Sequence, residues 1–217
     1  MKVLFTGSKG LIASWVVPYL EEYGIEVDGY DIKNGDDFFD KEKLVSRMKD
    51  CDAVIHMAAI PHYKVHGKVV PKETMFKVNL EGTRAVAEAT KEVGIKRLIF
   101  TSSGATYGYD EGFKPTKFPI EVDDFNVPYE DLNFYAQSKR DCEKMLKEEY
   151  SKFFDVLVFR MNGINGIEVL SKPHYFHYVT KENQGKAYLN GLMCEAEPFE
   201  IFNICEPYLS INLPCIS

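Results

Sequence analysis

The run Thr6-Gly7-Ser8-Lys9-Gly10-Leu11-Ile12-Ala13 near the start of the chain constrains the fold most. Residues 3–6 form a short apolar run of strand type. Residues 11–22 carry apolar side chains at helical spacing, with Leu11, Ile12, Trp15, Val16 and Tyr19 on one side. A glycine turn at a first strand–helix junction lets the backbone approach a pyrophosphate. The helix N-terminus adds free N–H groups and positive dipole. Ala13 stands at the place of a third glycine, where one methyl fits helix–strand packing. Asp31 closes a second strand-like run at 27–30. A carboxylate there accepts from ribose hydroxyls and repels a 2′-phosphate, which favours NAD over NADP. Lys9 and Lys33 point the other way, since either ammonium attracts a phosphate.

Beyond the turn, strand-like and helix-like runs alternate. Further strands are expected at 53–57, 97–101, 155–160 and 199–204. Helices are expected at 41–49 with Asp40 as N-cap, at 72–93 between Pro71 and Gly94, at 131–150, and near 181–193. This rhythm predicts an α/β fold, a doubly wound parallel sheet (Rossmann fold) covered on both faces. Pro18 speaks against an unbroken first helix. The stretch from Asp31 to Asp40 predicts a trimmed crossover with a short edge strand. Residues 1–166 read as the nucleotide-binding domain and 167–217 as a small, shortened substrate lobe.

Length and composition set the outer bounds. A chain of 217 residues, 45% apolar and 27% charged, is an ordinary globular chain with one well-buried domain. A formal net charge of −7 argues against nucleic acid or anionic membranes as partners. Cys51, Cys142, Cys194, Cys205 and Cys215 are odd in number and include no C-x-x-C, the pattern of a reduced, cytoplasmic protein. The N-terminus reads as mature sequence, and no apolar stretch is long enough to span a bilayer. His62 and His66 lie beside Pro61 without an acid partner. They read as a substrate-facing loop, and no metal is expected.

Tyr135 and Lys139, in Asn133-Phe134-Tyr135-Ala136-Gln137-Ser138-Lys139, are four residues apart and share one helix face. Making a phenolate at pH 7 costs about 4 kcal/mol, and a neighbouring ammonium lowers that cost. The pair suits acid/base work on a hydroxyl or carbonyl.

Several segments together resemble the extended short-chain dehydrogenase/reductase family, in its NAD-dependent epimerase/dehydratase branch. The glycine turn resembles its T-G-x-x-G-x-x-G/A pattern. Asp52-Ala53-Val54-Ile55-His56-Met57-Ala58-Ala59 is similar to D-x-V-I-H-x-A-A, and Asn79-Leu80-Glu81-Gly82-Thr83 to N-x-x-G-T. Thr101-Ser102-Ser103-Gly104-Ala105-Thr106-Tyr107-Gly108 resembles S-S-S-x-x-x-Y-G. Tyr135 and Lys139 fill Y-x-x-x-K. The resemblance implies Tyr135 as acid/base, Lys139 as the group that lowers its pKa and holds the nicotinamide ribose, and Ser103 as donor to the substrate oxygen. It places Gly7, Lys9, Gly10, Leu11, Ile12, Asp31, Asp37, Phe38, Met57, Ala58, Ala59, Asn79 and Thr101 along the cofactor, with Asp37 and Phe38 beside the adenine. Ser103, Gly104, Ala105, Asn162 and Asn165 fall on the substrate side.

Departures narrow the activity. Dehydratases of the branch carry Asp and Glu where this chain has Gly104 and Ala105, so elimination of water is not expected. Gly163 replaces an asparagine that often touches a sugar nucleotide, with Asn162 and Asn165 as substitutes. The first expectation is an NAD-dependent sugar-nucleotide epimerase resembling UDP-glucose 4-epimerase. The others are a dehydrogenase of a small sugar or uronic acid, and a regulator that binds NAD(P) without turnover. The resemblance also suggests a homodimer seam along the helices at 72–93 and 131–150, whose apolar positions core packing explains equally well.

Overall fold

The computed structural model describes residues 1–62, 64–65, 67–114, 120–162 and 179–205. Six strands make one sheet: β1 (Lys2–Thr6), β2 (Glu26–Tyr30), β3 (Ala53–His56), β6 (Arg97–Ser103), β7 (Asp155–Met161) and β8 (Phe199–Ile204). Their order is β2-β1-β3-β6-β7-β8 and every pairing is parallel. A small antiparallel pair, β4 (Lys64–Val65) with β5 (Lys68–Val69), lies outside that sheet. The helices are α1 (Ala13–Glu22), α2 (Lys41–Met48), α3 (Lys72–Phe76), α4 (Gly82–Val93), α5 (Phe134–Met145) and α6 (Lys181–Met193).

Alternate residues of each strand feed two separate cores. Leu4, Val54, Leu98, Phe100, Val156 and Val158 point toward α2, α4 and α5. Val3, Phe5, Ala53, Ile55, Ile99, Leu157, Phe159 and Met161 point toward α1 and α6. Period-two alternation with both sides apolar is what a doubly covered parallel sheet requires. The chain leaves β1 outward to β2 and returns on the far side to β3. The reversal between β1 and β3 opens a crevice at their carboxyl ends.

Helix α1 runs through Pro18, and its buried stripe is Ala13, Val16 and Leu20. Burial of that stripe on the sheet offsets the hydrogen bond that proline removes. The apolar side therefore sits differently from the sequence expectation. Leu11 is 61% exposed at the mouth of the turn, while Trp15 and Tyr19 face α6. Between β2 and α2 the chain makes a single 3-10 turn, Ile32–Asn34, capped by Asp31. No edge strand occurs there among the described residues: α2 supplies the whole crossover, and Asp40 caps it by accepting from Lys43 N. The segment 72–93 is helical throughout but widens to a π turn at Lys77–Glu81, and α5 likewise continues through a π turn at Leu146–Tyr150.

Residues 181–204, read from the sequence as part of a separate lobe, pack against the main sheet. Helix α6 packs on α1, with Gly185 against the Tyr19 ring, and β8 adds the sixth strand beside β7. Residues 163–178 and 206–217, which hold Asn165, lie outside the described residues.

Candidate active site

The glycine turn is built by close backbone approach. Gly7 has φ +76°, and a Cβ built on it would lie 2.7 Å from Ala58 N and 2.8 Å from Ala58 Cα. Only glycine lets the turn after β1 touch the loop after β3, across the mouth of the crevice. Gly7 N donates to the Tyr30 carbonyl at 2.8 Å, and Gly10 N to the Gly7 carbonyl at 2.9 Å. Asp31 is tied to the same turn. One carboxylate oxygen accepts from Lys9 N at 2.8 Å and the other from Lys33 N at 2.9 Å. Each oxygen keeps lone-pair capacity for a further donor. The Lys33 ammonium donates to the Lys9 carbonyl at 3.0 Å. Asp37 accepts from Phe39 N and is exposed. Phe38 lies over Gly82, where a Cβ would come within 2.5 Å of its ring, and stands edge-on to His56.

On the other side of the crevice, α5 presents Tyr135 and Lys139. Asn133 caps it by accepting from Ala136 N at 3.0 Å and is itself held by Glu111. Lys139 lies one turn below Tyr135, donates to the Thr101 carbonyl at 2.8 Å, and sits over the Phe100 ring. Burial lowers its pKa to about 8. Ser103 ends β6 and accepts from Ala105 N at 3.1 Å. Its hydroxyl is hydrogen-bonded to Tyr135 and lowers that phenol's pKa, while burial, the larger effect, raises it. The Lys139 ammonium is turned to the Thr101 carbonyl and the Phe100 ring. Thr101 uses its hydroxyl on Tyr188 of α6 at 2.7 Å.

Asn79 is 1% exposed and fully committed. Its Oδ1 accepts from Ile60 N at 2.8 Å, and its Nδ2 donates to Ser138 Oγ at 3.0 Å and to the Ile60 carbonyl at 3.2 Å. It clamps the loop after β3 to α5.

Two networks escaped the sequence reading. In the first, Thr83 Oγ1 donates to the Asn79 carbonyl at 2.6 Å and so must accept from His56 Nε2, 3.0 Å away. His56 Nδ1 is then the acceptor for Thr6 Oγ1 at 2.7 Å, and Thr6 Oγ1 accepts from Met57 N and Ala58 N. Burial, then the Lys139 charge, lowers the His56 pKa to about 3, so this ring is neutral. One directed chain thus joins the loop after β3, β1, β3, α4 and the π turn. In the second, Arg160 forks onto Glu143, from Nε at 3.0 Å and Nη2 at 2.7 Å, and donates from Nη1 to Tyr107 Oη at 2.8 Å. Ser102 also donates to Glu143. Glu143 falls four residues after Lys139 and Arg160 inside an apolar strand. That spacing was the available signal, but only the fold shows that the two meet. His62 lies 3.8 Å from Asp110, while His66 is outside the described residues.

A parallel sheet with a glycine turn at its switch point and a Ser–Tyr–Lys set beside it defines the short-chain dehydrogenase/reductase class. Residues 3–170 match the NAD dependent epimerase/dehydratase family, and the chain belongs to that family. It is 29% identical over 211 residues to the UDP-glucose 4-epimerase of Streptomyces lividans, covering 85% of this chain and 60% of that protein. It is 27% identical over 177 residues to the decarboxylating sterol-4-alpha-carboxylate 3-dehydrogenase of Mus musculus, covering 76% of this chain and 46% of that protein. The chain therefore spans about half the length of these curated relatives. The fold is similar to that of the Thermus thermophilus UDP-glucose 4-epimerase in complex with NAD. The TM-score there is 0.75 at 24% identity, over 94% of this chain and 78% of that one. Among the described residues no helix is long and apolar enough to cross a membrane.

Proposed function

We propose that this chain is an NAD-dependent epimerase acting on a nucleotide sugar, with Tyr135 as acid/base. The observation that carries the reading is the meeting of Ser103 and Tyr135, with Lys139 one turn below, at the carboxyl edge of the sheet. The crevice suits a dinucleotide on its own geometry: Gly7 lets the turn after β1 lie against the loop after β3 at the start of α1, and Asp31 offers a carboxylate with spare acceptor capacity. Gly7, Gly10 and the start of α1 would hold the pyrophosphate, and Asp31 the adenosine ribose. NAD, when bound, supplies the hydride acceptor.

Ser103 steadies the reacting oxygen while Tyr135 removes or returns its proton. Lys139, charged below about pH 8, favours the phenolate when that proton leaves the site. Gly104 and Ala105 offer no acid for elimination, which supports epimerisation or oxidation over dehydration. The same residues serve a net dehydrogenase of a sugar acid, and absorbance separates the two. With NAD and UDP-glucose, an epimerase forms product without net NADH, whereas steady NADH accumulation on a sugar acid selects the dehydrogenase. Tyr135→Phe should leave NAD binding nearly intact and cut turnover by about 10²-fold or more. Unchanged turnover in that variant would sink the mechanism.

A further inference from the structure

The backbone that carries Asp31 is closed into a loop by a second acid, Asp36. Asp31 N donates to Asp36 Oδ2 at 3.2 Å, and Asp36 N donates back to the Asp31 carbonyl at 3.1 Å. Asn34 N reaches the same carbonyl at 2.8 Å. The Asp31 side chain is then aimed by Lys9 N and Lys33 N, one on each oxygen.

Asp36 is 5% exposed, and a carboxylate so buried keeps its charge only with partners. Those partners lie on α2. Lys43 Nζ is 2.7 Å from Asp36 Oδ1, and Arg47 Nη1 is 3.7 Å from the same oxygen. Burial raises the Asp36 pKa, but Lys43, the Asp31 N–H and Arg47 together bring it below the usual carboxylate value. Lys43 also donates to the Gly35 carbonyl at 3.0 Å, and Arg47 forks onto Asp28 of β2. One Asp36 oxygen thus faces the cations of α2, and the other holds the backbone of Asp31. Both oxygens must accept, which an ionised carboxylate does and an amide does not.

We propose that Asp36 is a positioning residue for the cofactor: by tying the Asp31 backbone to α2, it sets the affinity for NAD and the preference for NAD over NADP. The inference rests on the proposed cofactor site, in which Asp31 meets the adenosine ribose. Asp36 acts through Asp31, because its own oxygens are taken up by Lys43, Arg47 and Asp31 N. Without Asp36, Asp31 N loses its acceptor and Asp31 loses its tie to the two cations. A carboxylate that must be ordered when the ribose arrives binds it less tightly than one already in place.

The test is a double-mutant cycle on the whole chain, read as the Kd of NAD by isothermal titration. In the wild-type background Asp36→Ala should raise that Kd by about tenfold. In the Asp31→Ala background it should raise it by no more than about twofold, because the group it positions is gone. The ratio of the NADP Kd to the NAD Kd should fall in Asp36→Ala toward its value in Asp31→Ala. A general loosening of the loop would instead weaken binding equally in both backgrounds and leave the ratio unchanged. Circular dichroism shows which variants are folded, and Asp36→Asn decides if Asp36→Ala is not. Asp36→Asn keeps the volume but has one acceptor for two donors. The ammonium takes it, so the same cycle should show a loss of about fivefold. Equal losses in both backgrounds, no loss in either, or an unchanged ratio overturns the inference and leaves the proposed function standing. A wild type that does not bind NAD overturns both.

Discussion

Removing the Lys139 ammonium should stabilise the protein relative to wild type at neutral pH while abolishing turnover. Lys139 is 3% exposed, and burial takes its pKa from 10.5 to about 8. Its contacts are a carbonyl oxygen and an aromatic face, and the attraction of Glu143 is smaller than the burial effect. Between about pH 8 and 10.5 the unfolded chain still binds the proton that the folded chain has released. The stability that this residue allows is therefore low below the folded pKa and rises with pH through that window. Each pH unit inside it corresponds to about 1.4 kcal/mol, so wild type should gain about 2 kcal/mol on Lys139→Met between about pH 8 and 9.5. Cys51 and Cys142, both raised to about 11 by burial, act in the opposite sense, since their thiols ionise first in the unfolded chain. Cys51 is common to both proteins and cancels in the difference. The Cys142 pKa, lowered by the Lys139 charge, rises further in Lys139→Met and adds to the relative gain of wild type above about pH 9. Urea unfolding followed by fluorescence of Trp15, the single tryptophan, measures both proteins. Its Nε1 donates to Gln184 at 3.0 Å, so the signal reports the α1–α6 contact. Parallel stability curves for the two proteins from about pH 7 to 9.5 would refute the reasoning.

The same ammonium sets an alkaline limb for catalysis: turnover should decline above about pH 8, and a profile flat to about pH 9.5 would remove Lys139 charge from the mechanism. Asp31→Ala should weaken NAD more than NADP, as isothermal titration would show. The reverse order would make Lys9 or Lys33 the dominant cofactor contact. Glu143→Leu leaves the Arg160 guanidinium buried without its carboxylate and should cost about 3–5 kcal/mol. For a chain of this size that is a fall of roughly 6–20 °C in Tm. Glu143→Leu combined with Arg160→Met should recover most of it, and a single-variant fall under about 2 °C would mean the pair is effectively solvated.

Much of the site was legible in the linear sequence because its parts are local. Gly7 and Gly10 sit in a single strand–helix turn, Asp31 closes the next strand, and Tyr135 and Lys139 are one helical turn apart. Such features need only the backbone geometry of one element, which side-chain periodicity specifies. The missed features join residues far apart in the chain. His56 bridges Thr6 and Thr83, and Arg160 meets Glu143 and Tyr107. Each looked like an isolated polar residue in an apolar run, and a buried polar group is intelligible only with its partner.

A parallel α/β fold, a glycine turn at the first strand–helix junction and a Tyr–Lys pair on one helix face were all set by the linear order of residues. Those statements follow from alternation, glycine conformation and helical spacing. Which groups face one another was settled only when the elements packed. Packing directed Lys139 to Thr101, tied Asn79 to Ile60 and Ser138, and set α6 and β8 against the main sheet. It also left Asn162 Oδ1 without a partner among the described residues, beside Gly104. One cause underlies all four. Burial makes hydrogen-bond partners obligatory, and strand register, invisible in one dimension, chooses which partners come within reach.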